Sequence, residues 1–241
     1  MKERPILFSG QMVRAILDGR KTQTRRIAPI QSLDICEHDG GLVTWSVRFT
    51  KPVGKSRTIG SYSGTLCTPD DARRIIASEW CPYGQPGDRL WVKETWRPRI
   101  SHACAMDACD CADVAVDYVA DGAGRWFSEE QIAPDWLMPK AAARGNVSPL
   151  FMPRWASRLT LEITSVRVER LNDINEADAI AEGVTAVSSG GVTLFTTTGV
   201  NCFQTAKDAY AALWESINGP GSWDANPFVW VVTFRRIDDH A

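Results

Sequence analysis

The sequence predicts an α+β fold, and three observations carry the prediction. Strand-like alternation recurs near residue 90, after residue 156 and at the C-terminus, short helical patterns stand between these segments, and no internal repeat is visible. Neither βαβ regularity nor a phosphate-cradling glycine loop joins them into a doubly wound sheet. With 241 residues, 44% of them hydrophobic and 23% charged, the chain can bury a sizeable core, which excludes a disordered tail or a fibrous repeat.

In chain order, Ser9 is placed to cap a short helix whose apolar residues Met12, Ala15 and Ile16 follow i, i+3, i+4 spacing, with Gly19 as its stop. Residues 28–80 read as an irregular insertion with one hairpin at most, since strand-like fragments such as Leu42 to Phe49 are mixed with Gly, Ser, Lys and Pro. In GQPGDRLWVKETW, Pro86 and Gly87 make a turn, and Leu90 and Val92 alternate with Trp91 and Lys93 as a strand with one buried face. Residues 97–150 form a second, polar insertion. LTLEITSVRVERL then alternates Leu159, Leu161 and Ile163 with polar residues and continues through Val166 and Val168 after a change of phase, which predicts a long, bulged strand. Asn172 or Asp173 caps a helix over NEADAIAEGV, with Ala177, Ile180 and Ala181 on one face and Gly183 as its stop. Residues 185–201 carry no periodic signal. Lys207 to Ile217 spaces Ala209, Leu213, Trp214 and Ile217 as a helix, and FVWVVTFRRI closes the chain as a strand. The whole chain, 1–241, is expected to form one domain with the two insertions.

Composition narrows the function classes. Net charge is −2, too balanced for coating nucleic acid through bulk electrostatics. No run of about 18 apolar residues exists, and the apolar stretch in MKERPILFSG is far shorter than the ~7 to 15 residues of a signal-peptide core. A cytoplasmic protein without membrane contact is expected. Charge is nevertheless uneven: Arg14, Arg20, Lys21, Arg25 and Arg26 face only Asp18, whereas Asp107, Asp110, Asp113, Asp117 and Asp121 lie in a stretch without Lys or Arg that reads as a solvated loop.

Seven cysteines argue for reduced thiols rather than a disulfide framework. His102, Cys104, Cys109 and Cys111 have the ligand types of a tetrahedral zinc site but not the usual paired spacing, so a structural Zn and an unmetallated loop both fit. Ten tryptophans suit core or rim anchors. Trp91 and Trp96, beside charged segments, are also candidates for stacking on a base, worth ~1 to 3 kcal/mol per base.

The segment GRKTQTRR, residues 19–26, carries the chemistry. An ordinary strand places Lys21 and Thr24 on opposite faces, and only a turn, bulge or bend brings the amine beside the hydroxyl. A solvated basic loop is the bland alternative.

The ordered set G-x-K-T-x-T-x-R after an N-terminal helix, then GDRLWV, LEIT, AEGV and a final FVWVVTF resembles the ASCH domain family over about half of the chain. The resemblance implies a PUA-like mixed β-barrel with flanking short helices, close to the bacterial acetylcytidine amidohydrolases and to longer phage and prophage ASCH proteins. It carries catalytic roles to Lys21, Thr24 and Glu182, with Glu94 as a second carboxylate, and no cofactor is required. Arg20, Arg25 and Arg26, with Trp91 and Trp96, are the implied substrate-binding residues. Amide hydrolysis needs a nucleophile, a proton acceptor and oxyanion donors. Lys21 can be the base only if it is neutral, which neighbouring cations favour and Glu182 opposes; if Glu182 takes the proton, Lys21 becomes the oxyanion donor. The alternatives are a ribonuclease with a divalent ion on Glu94, Glu182 or nearby aspartates, and a non-catalytic RNA- or DNA-binding phage protein contacting phosphates through Lys21, Arg25 and Arg26.

Overall fold

Ser9 starts the first helix as expected, its hydroxyl accepting from the Met12 amide at 3.4 Å. The helix stops where Gly19 turns to φ +73°, a conformation that L side chains rarely adopt. In the computed structural model the described residues are 1–38, 43–50, 61–100, 113–189, 191–197 and 201–237. Their elements are β1 (Glu3–Leu7), α1 (Gly10–Leu17), β2 (Gln23–Ile27), β3 (Ile30–Glu37), β4 (Val43–Phe49), β5 (Ser61–Cys67), α2 (Pro69–Trp80), β6 (Arg89–Lys93) and β7 (Trp96–Ile100). Beyond these follow β8 (Val114–Tyr118), β9 (Gly124–Phe127), β10 (Thr160–Arg170), α3 (Glu176–Ala181), β11 (Thr185–Ser189), β12 (Val192–Thr196), α4 (Ala206–Asn218) and β13 (Phe228–Ile237), with short 3-10 turns between. The fold is therefore α+β. Its sheets are open among the described residues, and none closes into the expected barrel.

The chain divides into two compact units. The first comprises Met1–Lys2, Gly19–Arg89 and Glu162–Arg235; the second comprises Glu3–Asp18, Leu90–Leu161 and the chain from Arg236.

In the first unit, β10, β13 and β2 are neighbours in that order, and β13 runs antiparallel to β2 with Val232 opposite Thr24. Helices α3 and α4 bury Ala179, Ala209, Tyr210 and Trp214 in one core with Val229 and Val231 of β13. Each fully buried aliphatic side chain there contributes roughly 1.5–3 kcal/mol. The region expected to be an irregular insertion instead holds the antiparallel sheet β3-β4-β5 and the twelve-residue helix α2. Val43, Trp45, Val47 and Phe49 alternate into its core, while register shifts at Ile30/Ser32 and Val43/Trp45 interrupt the period and hide it in the sequence. Trp80 of α2 packs on Tyr62 and Phe49, with ring centroids 4.9 and 5.6 Å apart.

Two helical details differ from expectation. The cap of α3 is Asn175, whose side chain accepts from Asp178 N at 2.8 Å, because Leu171–Asp173 form a 3-10 turn first. Ala179 is its buried residue, whereas Ile180 stays exposed; in α4 Ala206, Ala209, Tyr210 and Trp214 are buried, and Ile217, expected on the same face, is exposed. Residues 185–201, without a periodic signal, include the hairpin β11-β12.

In the second unit, β1, β6 and the first residues of β10 are neighbours, tied by bonds such as Val92 N to Leu159 O at 2.9 Å. The second expected insertion contains the antiparallel sheet β7-β8-β9. Val114, Val116 and Tyr118 face inward, so the end of the aspartate-rich stretch is a strand, not a solvated loop. Asp117 pairs with Arg99 at 3.2 Å and Asp121 with Arg158 at 2.8 Å. Trp96, Phe127, Trp136 and Trp155 form an aromatic cluster with edge-on contacts, Trp136 and Trp155 being 5.0 Å apart. Within the first unit's part of β10 the buried residues change parity between Ile163 and Val166, the predicted change of phase.

Candidate active site

The basic segment after α1 becomes β2, and the period of a strand decides what it can do. Lys21, just before the strand, and Arg25 within it meet the same carboxylate of the first unit. Arg25 donates to Gln23 Oε1 at 2.6 Å, and both Lys21 and Arg25 reach Glu182, whose position just beyond α3 makes it the cap of that helix. Strand alternation puts Thr24 on the other face, opposite Val232, where its side chain is also buried.

The Lys21 ammonium lies 2.6 Å from Glu182 Oε2 and donates to the Glu182 carbonyl at 2.8 Å. These residues are 161 positions apart, and only 2% and 3% of their surfaces are exposed. Arg25, with no side-chain exposure, extends the pair inward to outward: it bonds Glu182 at 3.4 Å, Glu169 at 2.6 Å and Asp178 at 2.8 Å. Arg167 closes the array on Glu169 and Asp178, at 2.9 and 2.8 Å. Three cations thus meet three carboxylates, and exposure grows from the Lys21 end to the Arg167 end. Desolvating charges is expensive, so such an array persists only when every partner is present.

The two buried cations respond oppositely. Burial drives the Lys21 ammonium below its ordinary value; Glu182 opposes the shift, and Arg26 and Arg25 add to it. Burial also acts to lower Arg25, but Glu182 and Glu169 outweigh it and hold the guanidinium above its ordinary value. The Tyr210 phenol is pushed well up by burial first and by the nearby Glu182 carboxylate second. The arrangement therefore holds one carboxylate between a reluctant ammonium, a fixed guanidinium and a phenol.

The other expected site residues are placed as follows. Arg20 donates to Thr185 Oγ1 at 2.9 Å and to the Gly183 carbonyl at 3.3 Å, beside the end of α3. Arg26 is half-buried in β2. Glu94 belongs to the second unit, where Arg158 grips it with two bonds of 2.8 and 3.0 Å and also pairs with Asp121. Burial raises Glu94, and Arg158 opposes that shift. Arg158 in turn lies over the Tyr118 ring, 4.1 Å from its centroid. Trp96 is wholly buried in the aromatic cluster, so it is a packing residue, whereas Trp91 is half-buried with Lys93 5.3 Å over its ring. His102, Cys104, Cys109 and Cys111 lie outside the described residues. Among the described residues no three His, Cys, Asp or Glu side chains come together as metal ligands, and no helix is long and apolar enough to cross a membrane.

Sequence reasoning missed Glu169, Arg167, Asp178, Tyr210 and Arg158. Two signals were available. Arg167 and Glu169 alternate with buried Val166 and Val168, so they share one face of β10, and Asp178 and Glu182 stand four apart, from the first turn of α3 to its C-cap. Compared with family models, with curated proteins and with solved structures, the chain matches none.

Proposed function

We propose that this chain is an ASCH-like hydrolase that removes an acyl group from the exocyclic amide of a modified nucleoside, of the acetylcytidine type. The observation that carries the reading is the Lys21–Glu182 pair at 2.6 Å, which joins the two residues that the resemblance marks as catalytic across 161 positions. Glu182 acts as proton acceptor for an attacking water, and Lys21, whose charged form that carboxylate favours against burial, stabilises the oxyanion of the tetrahedral intermediate. Collapse of the intermediate breaks the C–N bond, returns the proton to the leaving nitrogen, and yields a carboxylic acid and the free exocyclic amine. Arg25 is a positioning residue that fixes the second oxygen of Glu182. Water is preferred to Thr24 as the attacking group because Thr24 lies on the face of β2 opposite Arg25.

A second reading is favoured by one observation, the near-complete burial of Lys21 and Glu182, which suits a purely structural link between β2 and α3. Turnover of N4-acetylcytidine, followed by the mass of the deacetylated product, separates the two. Lys21→Met and Glu182→Gln are expected to lower kcat by roughly 100-fold or more in folded protein, while Thr24→Val retains most activity. A folded Lys21→Met protein with wild-type turnover would sink the hydrolase reading. Loss of turnover in folded Thr24→Val would instead restore Thr24 as the nucleophile.

A further inference from the structure

A groove between α2 and β10 of the first unit is made of two cavities that share Arg74 and Ser165. One, of about 300 Å³, is lined by Asp70, Arg73, Arg74, Ser165, Arg167 and Glu169. The other, of about 360 Å³, continues past Ile75, Ser78, Pro86, Thr164 and Val166. The groove thus has a cationic end and an end of mixed hydroxyl and apolar character.

The arginines at the cationic end are not alike. Arg167 is engaged by Glu169 and Asp178 at normal charge-assisted distances of 2.9 and 2.8 Å. Arg73 and Arg74 stand 3.9 and 3.5 Å from Asp70 and Asp71, in exposed pairs of consecutive turns that are too long for short charge-assisted bonds. Their guanidinium donors are therefore weakly held by those carboxylates, and both side chains line the same cavity as Ser165. A planar guanidinium pair with one hydroxyl matches the oxygens of a single phosphate group. In the second cavity Thr164 offers a hydroxyl, Ser78 a hydroxyl oxygen whose proton goes to the Ile75 carbonyl at 2.9 Å, and Ile75 and Val166 apolar surface.

We propose that this groove binds a nucleotide by its phosphate ester, with Arg73, Arg74 and Ser165 on the phosphate and the nucleoside lying along the second cavity. The surplus positive charge is small, because Asp70 and Glu169 also line the cationic end, and the whole chain carries a net charge of −2. That suits one phosphate group rather than a polyanion, which needs a track of basic contacts. The nucleoside half of the proposal rests on the hydrolase reading above; the phosphate half stands on the groove alone.

The test is calorimetric titration of the full chain with cytidine 5′-monophosphate, cytidine, inorganic phosphate and a short single-stranded RNA. The monophosphate is expected to bind at least about tenfold more tightly than cytidine, with inorganic phosphate competing, since one charge-assisted contact is worth about that factor. Arg73→Gln, at a residue that lines only the cationic end, should remove most of the difference and leave cytidine binding and the circular dichroism unchanged, the side chain being exposed. Equal binding of monophosphate and cytidine to the wild type overturns the proposal, and this comparison needs no variant. RNA binding far more tightly than the monophosphate, with a steep salt dependence, also overturns it in favour of a nucleic-acid surface. Binding as expected with no turnover of acetylcytidine would refute the hydrolase reading and leave the phosphate site standing.

Discussion

Replacing Arg25 by methionine removes the one side chain that touches all three carboxylates of the array. Glu182 would keep Lys21, and Glu169 and Asp178 would keep Arg167, so three negative charges would be left with two positive ones. Breaking a buried ion pair by deleting one partner costs about 3–5 kcal/mol, because the stranded charge is not rehydrated. Glu169 and Asp178 have side-chain exposures of 10% and 19%, so water recovers part of the loss and the lower end, about 3 kcal/mol, is expected. A chain of 241 residues unfolds with an entropy near 0.5 kcal/mol/K, which converts that cost to a fall of about 6 °C in Tm. Arg25→Lys keeps the charge but not the fork, and is expected to recover less than half of the loss. The assay is thermal melting by circular dichroism at neutral pH in low and high salt, where the buried array should respond weakly to salt. A fall below about 2 °C for Arg25→Met would refute the reasoning, since the array would then be no stronger than an exposed pair.

Two further predictions test packing and titration. Tyr118 donates its hydroxyl to the Ala156 carbonyl at 2.9 Å, and burial pushes its phenol up from 10.0 to about 12. The folded state thus holds this proton more tightly than the unfolded one, so the corresponding stability is fully present below about pH 10 and is lost as pH rises toward 12. Relative to Tyr118→Phe, the wild type should lose roughly 2–3 kcal/mol across that window in denaturant titrations; a pH-independent difference would contradict it. At Gly64 an added Cβ would run into the Trp45 ring, so Gly64→Ala should destabilise the β3-β4-β5 sheet by about 1–3 kcal/mol and disturb the tryptophan emission, whereas an unchanged melt and spectrum would show that Trp45 moves freely aside.

Legibility differed from element to element for physical reasons. Ser9, the Leu90/Val92 alternation and the run from Phe228 were readable because a cap, a period of two and a continuous apolar run are local properties. The sheet β3-β4-β5 was hidden because register shifts break the period there, and β8 because its outward Asp117, with Asp113 and Asp121 on either side of the strand, resembles a loop until Arg99 is seen beside Asp117 and Arg158 beside Asp121. Within the candidate site, Lys21, Arg25 and Glu182 were named from short motifs, but the motif treated Thr24 as their companion. The continuous register of β2 against β13 separates it from Arg25 by one residue, and therefore by one face.

By itself the sequence determined the α+β class, the main helices and strands of its periodic segments, and which residue types were available for acid–base work, because these depend on neighbours within a few positions. Only the tertiary structure decided that Lys21 meets Glu182, that Arg25 gathers carboxylates from β10 and α3, and that Glu94 answers Arg158 in the other unit. Those pairings join residues 64 to 161 positions apart. Their energy comes from removing charges from water together, a condition that exists only once the elements carrying them are packed.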